Sequence, residues 1–329
     1  MPSRSLRRLA LLAPLALAFS GCVLITGDFT LLSRRPEPLE ERVVSGSGPT
    51  KILLLDLSGV IGSESRDSAL GLSRQESTLA RLEAELDQAD RDDDIKALVV
   101  RVNSPGGTVT ASDIIYERLT QFRTKHGTPI FVQMLDVAAS GGYYVSLAAD
   151  EIVASPTSVT GSIGVIFTNI SLAGLMEKIG VADQTIASGK MKDIGSPLRT
   201  MTPAEREVLQ RLIGDMQARF VGLVRERRGT HLTADMDATM VDGRVFSADQ
   251  ALAGGLVDQV GYLDGTITRA KQRIGVSDAT VIRYLRGSEF ADSIYARTAA
   301  APQVNQINLL SLSHDQLPQG PGFLYLWAP

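Results

Sequence analysis

Four short apolar runs, each leading into a polar or glycine-rich stretch, constrain this chain more than any other feature of its sequence. Lys51–Leu57, Ile95–Val102, Pro129–Leu135 and Glu151–Ala154 are rich in Val, Ile and Leu, the pattern of strands covered on both faces. Helical periods separate them. Leu79, Leu82 and Leu86 share one face after the capping pair Ser73 and Glu76, and Ile115, Leu119 and Phe122 share another after Thr110 and Asp113. Gly141–Ala149 reads as a third helix. Strands alternating with helices require right-handed crossovers, so the expected class is α/β with a mainly parallel sheet. Further on, Thr202-Pro203-Ala204-Glu205 opens a long helix, and Ser247–Ala253 forms a shorter one ending at Gly254-Gly255.

In such a sheet the loops at the carboxyl ends of strands form the binding crevice. Three turns of one character are candidates: Asn103-Ser104-Pro105-Gly106-Gly107, Ala138-Ala139-Ser140-Gly141-Gly142 and Thr160-Gly161-Ser162-Ile163-Gly164. Bare glycines there leave space around the Ser140 hydroxyl and expose backbone N–H groups to an oxyanion. A tight packing turn would use the same residues. A nucleophilic serine also needs a base. His126, His231 and His314 all lie away from strand ends, and Ala138 breaks a Gly-x-Ser-x-Gly elbow. Lysine can serve where burial favours its neutral amine, and the candidates are Lys190 and Lys192, either of which also reads as a solvated surface charge.

The two ends have other characters. Arg4, Arg7 and Arg8 precede the apolar segment Leu9–Phe19, too short to span a bilayer comfortably. Ala18-Phe19-Ser20-Gly21-Cys22 resembles the lipobox of bacterial lipoproteins, with Phe19 in place of the usual Leu. The expectation is a signal peptide over 1–21 and a lipidated, Pro- and Gly-rich tether over 22–50. Cys22 is the only cysteine, so no intrachain disulfide is possible. Loss of the leader and its three Arg takes the net charge from −4 to −7, and aromatic content is 5%. Both argue against a nucleic-acid partner. Residues 286–329 read as a loosely ordered extension, and Arg91-Asp92-Asp93-Asp94 as a solvated turn rather than a metal site.

Four ordered motifs carry a resemblance over Lys51–Gly265: Asn103-Ser-Pro-Gly-Gly107, Ala138-Ala-Ser-Gly-Gly-Tyr-Tyr144, Thr160-Gly-Ser-Ile-Gly-Val165 and Lys192-Asp-Ile-Gly-Ser-Pro197. They resemble the signal peptide peptidase A family of serine proteases. The resemblance implies a ClpP/crotonase-like fold in a protease domain over 51–285, with no cofactor and no metal. It implies Ser140 as nucleophile and Lys192 as general base, with Ser162 orienting the amine. Gly107 and Gly141 would supply the oxyanion-hole amides, and Lys190 would have no role. It further implies peptide substrates, remnant signal peptides and unfolded chains, in the cell envelope. With Ser and Lys in one unit the chain resembles the short form, which closes each site with neighbouring subunits of a homo-oligomeric ring. The lipid would replace the family's commoner transmembrane anchor on the extracytoplasmic side, and Val23 permits outer-membrane sorting. Two other readings compete. A crotonase-like acyl-CoA enzyme would not need a secretory leader, and an inactive lipoprotein scaffold would not need Ser140, Lys192 and Gly107.

Overall fold

The apolar runs become the centre of one twisted sheet in a computed structural model that describes residues 37–67, 74–287, 289, 293–296 and 323–327. The leader 1–21, Cys22 and tether residues 23–36 lie outside the described residues.

The strands are β1 (Leu39–Ser45), β2 (Lys51–Ser58), β3 (Arg66–Asp67), β4 (Arg74–Gln75), β5 (Ile95–Ser104), β6 (Gly106–Thr108), β7 (Ile130–Ala139), β8 (Glu151–Ala154), β9 (Val159–Gly161), β10 (Ile166–Phe167), β11 (Val245–Ser247), β12 (Gln259–Val260), β13 (Thr280–Arg286) and β14 (Phe323–Leu326). The helices are α1 (Thr78–Ala89), α2 (Val109–His126), α3 (Gly141–Ser146), α4 (Ala173–Ile179), α5 (Pro203–Arg228), α6 (Ala234–Thr239), α7 (Ala248–Gly254) and α8 (Leu263–Arg273). The main sheet runs β1-β13-β2-β5-β7-β8-β12, with β9 beside the end of β7 and β11 beside β9. The β13-β2-β5-β7-β8-β12 pairs are parallel, and β1 closes one edge antiparallel to β13. The expected α/β class with a mainly parallel sheet is what forms.

Alternate side chains of the central strands enter two apolar layers. Leu53, Leu55, Leu98, Val100 and Val132 face a core with α1, α2 and α3, while Ile52, Leu54, Ala97, Val99 and Phe131 face α8. Burial of each of these Leu, Ile, Val and Phe side chains contributes roughly 1.5–3 kcal/mol against exposure, and the two-sided covering explains why these strands read as continuous apolar runs.

Some boundaries differ from the sequence reading. Helix α1 is capped by Ser77, whose hydroxyl accepts from the Ala80 N–H, while Glu76 instead pairs with Arg286 at 2.7 Å. Helix α2 starts two residues early, on a Thr108 cap, and Asp113 accepts from the Tyr144 hydroxyl at 2.6 Å. The capping box at Thr202/Glu205 forms as expected, and a second one forms at Ser247/Gln250, at the start of α7.

The expected tether over 22–50 is too long, because Leu39–Ser45 forms β1 in register with β13. Its Glu40, Glu41 and Arg42 give a charged strand at the sheet's edge, and that polarity made the segment read as linker. The expected loose extension over 286–329 also contains structure. Two buried arginines, Arg101 and Arg283, share the Asp56 carboxylate and donate to the carbonyls of Ile294 and Ala296. Beyond them, β14 joins β10 and β6 in a second, antiparallel sheet.

Candidate active site

Strands β5, β7 and β9 end side by side, and so do the three turns that leave them. The pairs Ser104↔Ala138, Val137↔Val159 and Ala139↔Gly161 fix their order. Asn103 clasps two of the tips: its side-chain carbonyl accepts from the Val137 N–H at 3.2 Å and its amide donates to Asp136 at 2.9 Å. The Ser140 N–H donates to the Gly161 carbonyl at 2.7 Å, and the Ser140 carbonyl accepts from the Tyr144 N–H at 2.8 Å. Ser140 is therefore held on both sides, by a strand behind it and a helix ahead.

Its backbone is also strained. Among the described residues only Ser140 and Ser162 combine a side chain with positive φ, 52° in each case. Such a conformation costs on the order of 1–3 kcal/mol and persists only where surroundings enforce it. Both strained residues are candidates named from the sequence.

The Ser140 hydroxyl is buried, with the residue 1% exposed, and has no hydrogen-bond partner. An unpartnered buried hydroxyl is costly, and polar groups of this kind concentrate where chemistry occurs. The glycines around it are required by close approach. A Cβ on Gly107 would lie 1.9 Å from the Ile61 carbonyl oxygen, and one on Gly141 would lie 2.5 Å from the Ser112 hydroxyl. Ser112 itself, buried and donating to the Thr108 carbonyl at 2.9 Å, was not singled out from the sequence, where it looks like any serine in a helix.

Histidine does not reach this place. Helix α2 begins beside the Gly107 turn, and His126 ends it 18 residues on, about 27 Å away. There it meets Asp90 at 2.7 Å and packs on Phe122. His231 is exposed, and His314 lies outside the described residues. No group of three His, Cys, Asp or Glu is arranged to hold a metal among the described residues.

Lys192 is exposed and makes no side-chain hydrogen bond or ion pair among the described residues; Lys190 is exposed too. The turn that carries Lys192 is nevertheless pinned. Asp193 pairs with Arg199 at 2.6 Å, and Arg199 pairs in turn with Glu205, the capping residue of α5. Arg199 holds both carboxyls below their usual range, that of Glu205 at about 2. Gly195, at φ 79°, packs against the Phe167 ring of β10.

A strained, unpartnered serine thus stands at a strand-to-helix turn of an α/β scaffold, and comparison with known proteins identifies the chain as a serine-type peptidase. The profile of peptidase family S49 matches residues 123–277, and that of Clp protease matches residues 64–160. The chain is 34% identical over 260 residues to a putative signal peptide peptidase SppA of Enterococcus faecium, covering 79% of this chain and 74% of that relative. A putative protease of Methanocaldococcus jannaschii is 40% identical over 199 residues, 60% of this chain and 63% of the relative. Protease 4 of Salmonella typhi is 35% identical over 189 residues, 57% of this chain but only 30% of its own length. The chain belongs to peptidase family S49, the SppA proteases.

Proposed function

We propose that this peptidase is an endopeptidase with a Ser140/Lys192 dyad, acting on remnant signal peptides and other unfolded apolar peptides from a lipid-anchored position in the cell envelope. The observation that carries the reading is the buried, unpartnered Ser140 hydroxyl on its strained turn.

In the reaction Ser140 Oγ attacks the substrate carbonyl carbon while the Lys192 amine takes the hydroxyl proton. The N–H groups of Gly107 and Gly141 donate to the oxyanion. Lys192 then protonates the leaving amine, and water, deprotonated by the same lysine, hydrolyses the acyl-enzyme.

Lys192 comes from a neighbouring copy of the chain. The exposure of Lys192 supports this, as do exposed apolar residues upstream of it in sequence: Ile170, Leu175, Ile179, Val181 and Ile186 are each more than half exposed. Exposed apolar side chains gathered in one segment favour a protein contact. Burial against a second copy would cover it and close the dyad, and repetition of that contact builds a ring. Ser162, beside Ser140, orients the arriving amine.

Membrane attachment rests on Cys22. No helix among the described residues is long and apolar enough to cross a membrane. Fatty-acid labelling should disappear in Cys22→Ser, and labelling that survived would remove the lipoprotein reading. For the enzyme itself, a fluorophosphonate should label the wild-type chain and leave Ser140→Ala unlabelled; equal labelling of both would refute the nucleophile.

A further inference from the structure

The catalytic reaction has no use for β14, yet that strand lies against the candidate site. It is the middle strand of the second sheet, antiparallel to β10 through Leu324↔Ile166 and to β6 through Tyr325↔Gly107. The Trp327 N–H donates to the Pro105 carbonyl at 2.8 Å. Hydrogen-bonding pairs recur every second residue in an antiparallel ladder, so the Gly107 amide faces the Tyr325 carbonyl. A Cβ on Gly106 would meet that carbonyl oxygen at 1.9 Å and the Gly141 amide nitrogen at 2.7 Å. The Tyr325 carbonyl thus borders both amides assigned to the oxyanion.

The side chains are accommodated as well. The Tyr325 ring is fully buried, stacked on Tyr144 at 5.1 Å and against Phe220 at 4.8 Å, and its hydroxyl donates to the Met216 carbonyl at 2.9 Å. Phe323 lies 5.2 Å from Phe167. An extended segment hydrogen-bonded as a strand, with one aromatic side chain in a pocket, is how a peptide is held by strand addition or insertion. Ser140, meanwhile, has almost no accessible surface, so something must move before a substrate carbonyl reaches it.

We infer that β14 is an intramolecular occupant of the peptide groove, placed where an extended substrate with an aromatic side chain binds, and that it leaves when such a substrate enters. This rests on the protease reading of Ser140. The groove then selects for an aromatic residue through Tyr144, Phe220 and the Met216 carbonyl, and free enzyme is held partly closed by its own C-terminal strand.

Trp327 is the only tryptophan in the chain and reports on β14 directly. The full chain carrying Ser140→Ala is titrated with an unstructured peptide containing Phe-Leu-Tyr-Leu, and binding is followed by anisotropy of a dye on the peptide. The expected result is a red shift of Trp327 emission that saturates with binding. A chain ending at Gly322 should label with fluorophosphonate several-fold faster than the full chain and show a several-fold lower KM at unchanged kcat. Peptide binding without any change in emission would overturn the inference, as would a shortened chain that labels no faster or loses its fold by circular dichroism. Equal labelling of both chains removes only this inference, whereas labelling of neither removes the protease reading with it.

Discussion

Ser140 and Ser162 show how much of a site a backbone angle can carry. Each puts a side chain where glycine would sit more easily, and each follows a glycine or alanine at the end of a strand. Ser140→Ala and Ser140→Gly should both abolish hydrolysis, but the glycine variant should melt higher because it relieves strain worth on the order of 1 kcal/mol. Equal melting temperatures would show the turn to be unstrained. Gly107→Ala should lower kcat about 100-fold or more, since its Cβ must displace the Ile61 carbonyl and with it an oxyanion donor. Wild-type kinetics in that variant would remove Gly107 from the site. A different residue governs stability. Burial pushes the Glu85 carboxyl up to about 7, against the pull of Arg81. An unfolded glutamate releases its proton near about 4.3, so between those values the native chain binds more protons and stability falls as pH rises. Glu85→Gln removes that slope, and its melting temperature relative to wild type should climb from pH 5 to pH 8; a constant difference would contradict the assignment. Residue types at the serine turns were legible from sequence because glycine and alanine mark close approach. The Glu85 carboxyl was not, because its burial depends on Arg81 and the distant Glu289.

At the scale of elements, the buried strands were readable and the edge strands were not. β2, β5, β7 and β8 announce themselves because both faces are covered, whereas β1 is exposed along most of its length and carries the composition of a linker. β14 has the aromatic and branched residues of a strand, but it stands alone in sequence and its partners β6 and β10 are three and two residues long. Only tertiary pairing identifies it. The Lys192 turn presents the converse case: its motif was clear in sequence, and the structure adds the Asp193–Arg199–Glu205 chain that holds it. Arg199→Ala should therefore reduce kcat more than it raises KM, because it loosens the turn carrying the proposed base and leaves the groove intact. Lys190→Ala should stay close to wild type. A change confined to KM in Arg199→Ala would mean that the pinning serves substrate binding instead.

The whole molecule poses the question that a single chain leaves open. The described residues from Leu39 onward form one compact unit, with Ser140 buried and Lys192 exposed. The proposed ring reconciles these by letting each copy lend its lysine to the next. Burial of the apolar run from Ile170 to Ile186 would accompany that contact, so Ile179→Asp should yield smaller assemblies and lose activity together. Large assemblies without activity, or activity in a monomer, would separate the two. The most direct measurement mixes two inactive chains, Ser140→Ala and Lys192→Ala, after dissociation and reassembly. If each site joins Ser140 of one copy to Lys192 of the next, random mixing at equal amounts restores about a quarter of the sites. The account predicts peptide hydrolysis at that level, with a fluorophosphonate labelling only the chain that retains Ser140. A mixture that stays inactive although both chains share one assembly would contradict it and place serine and base within a single chain.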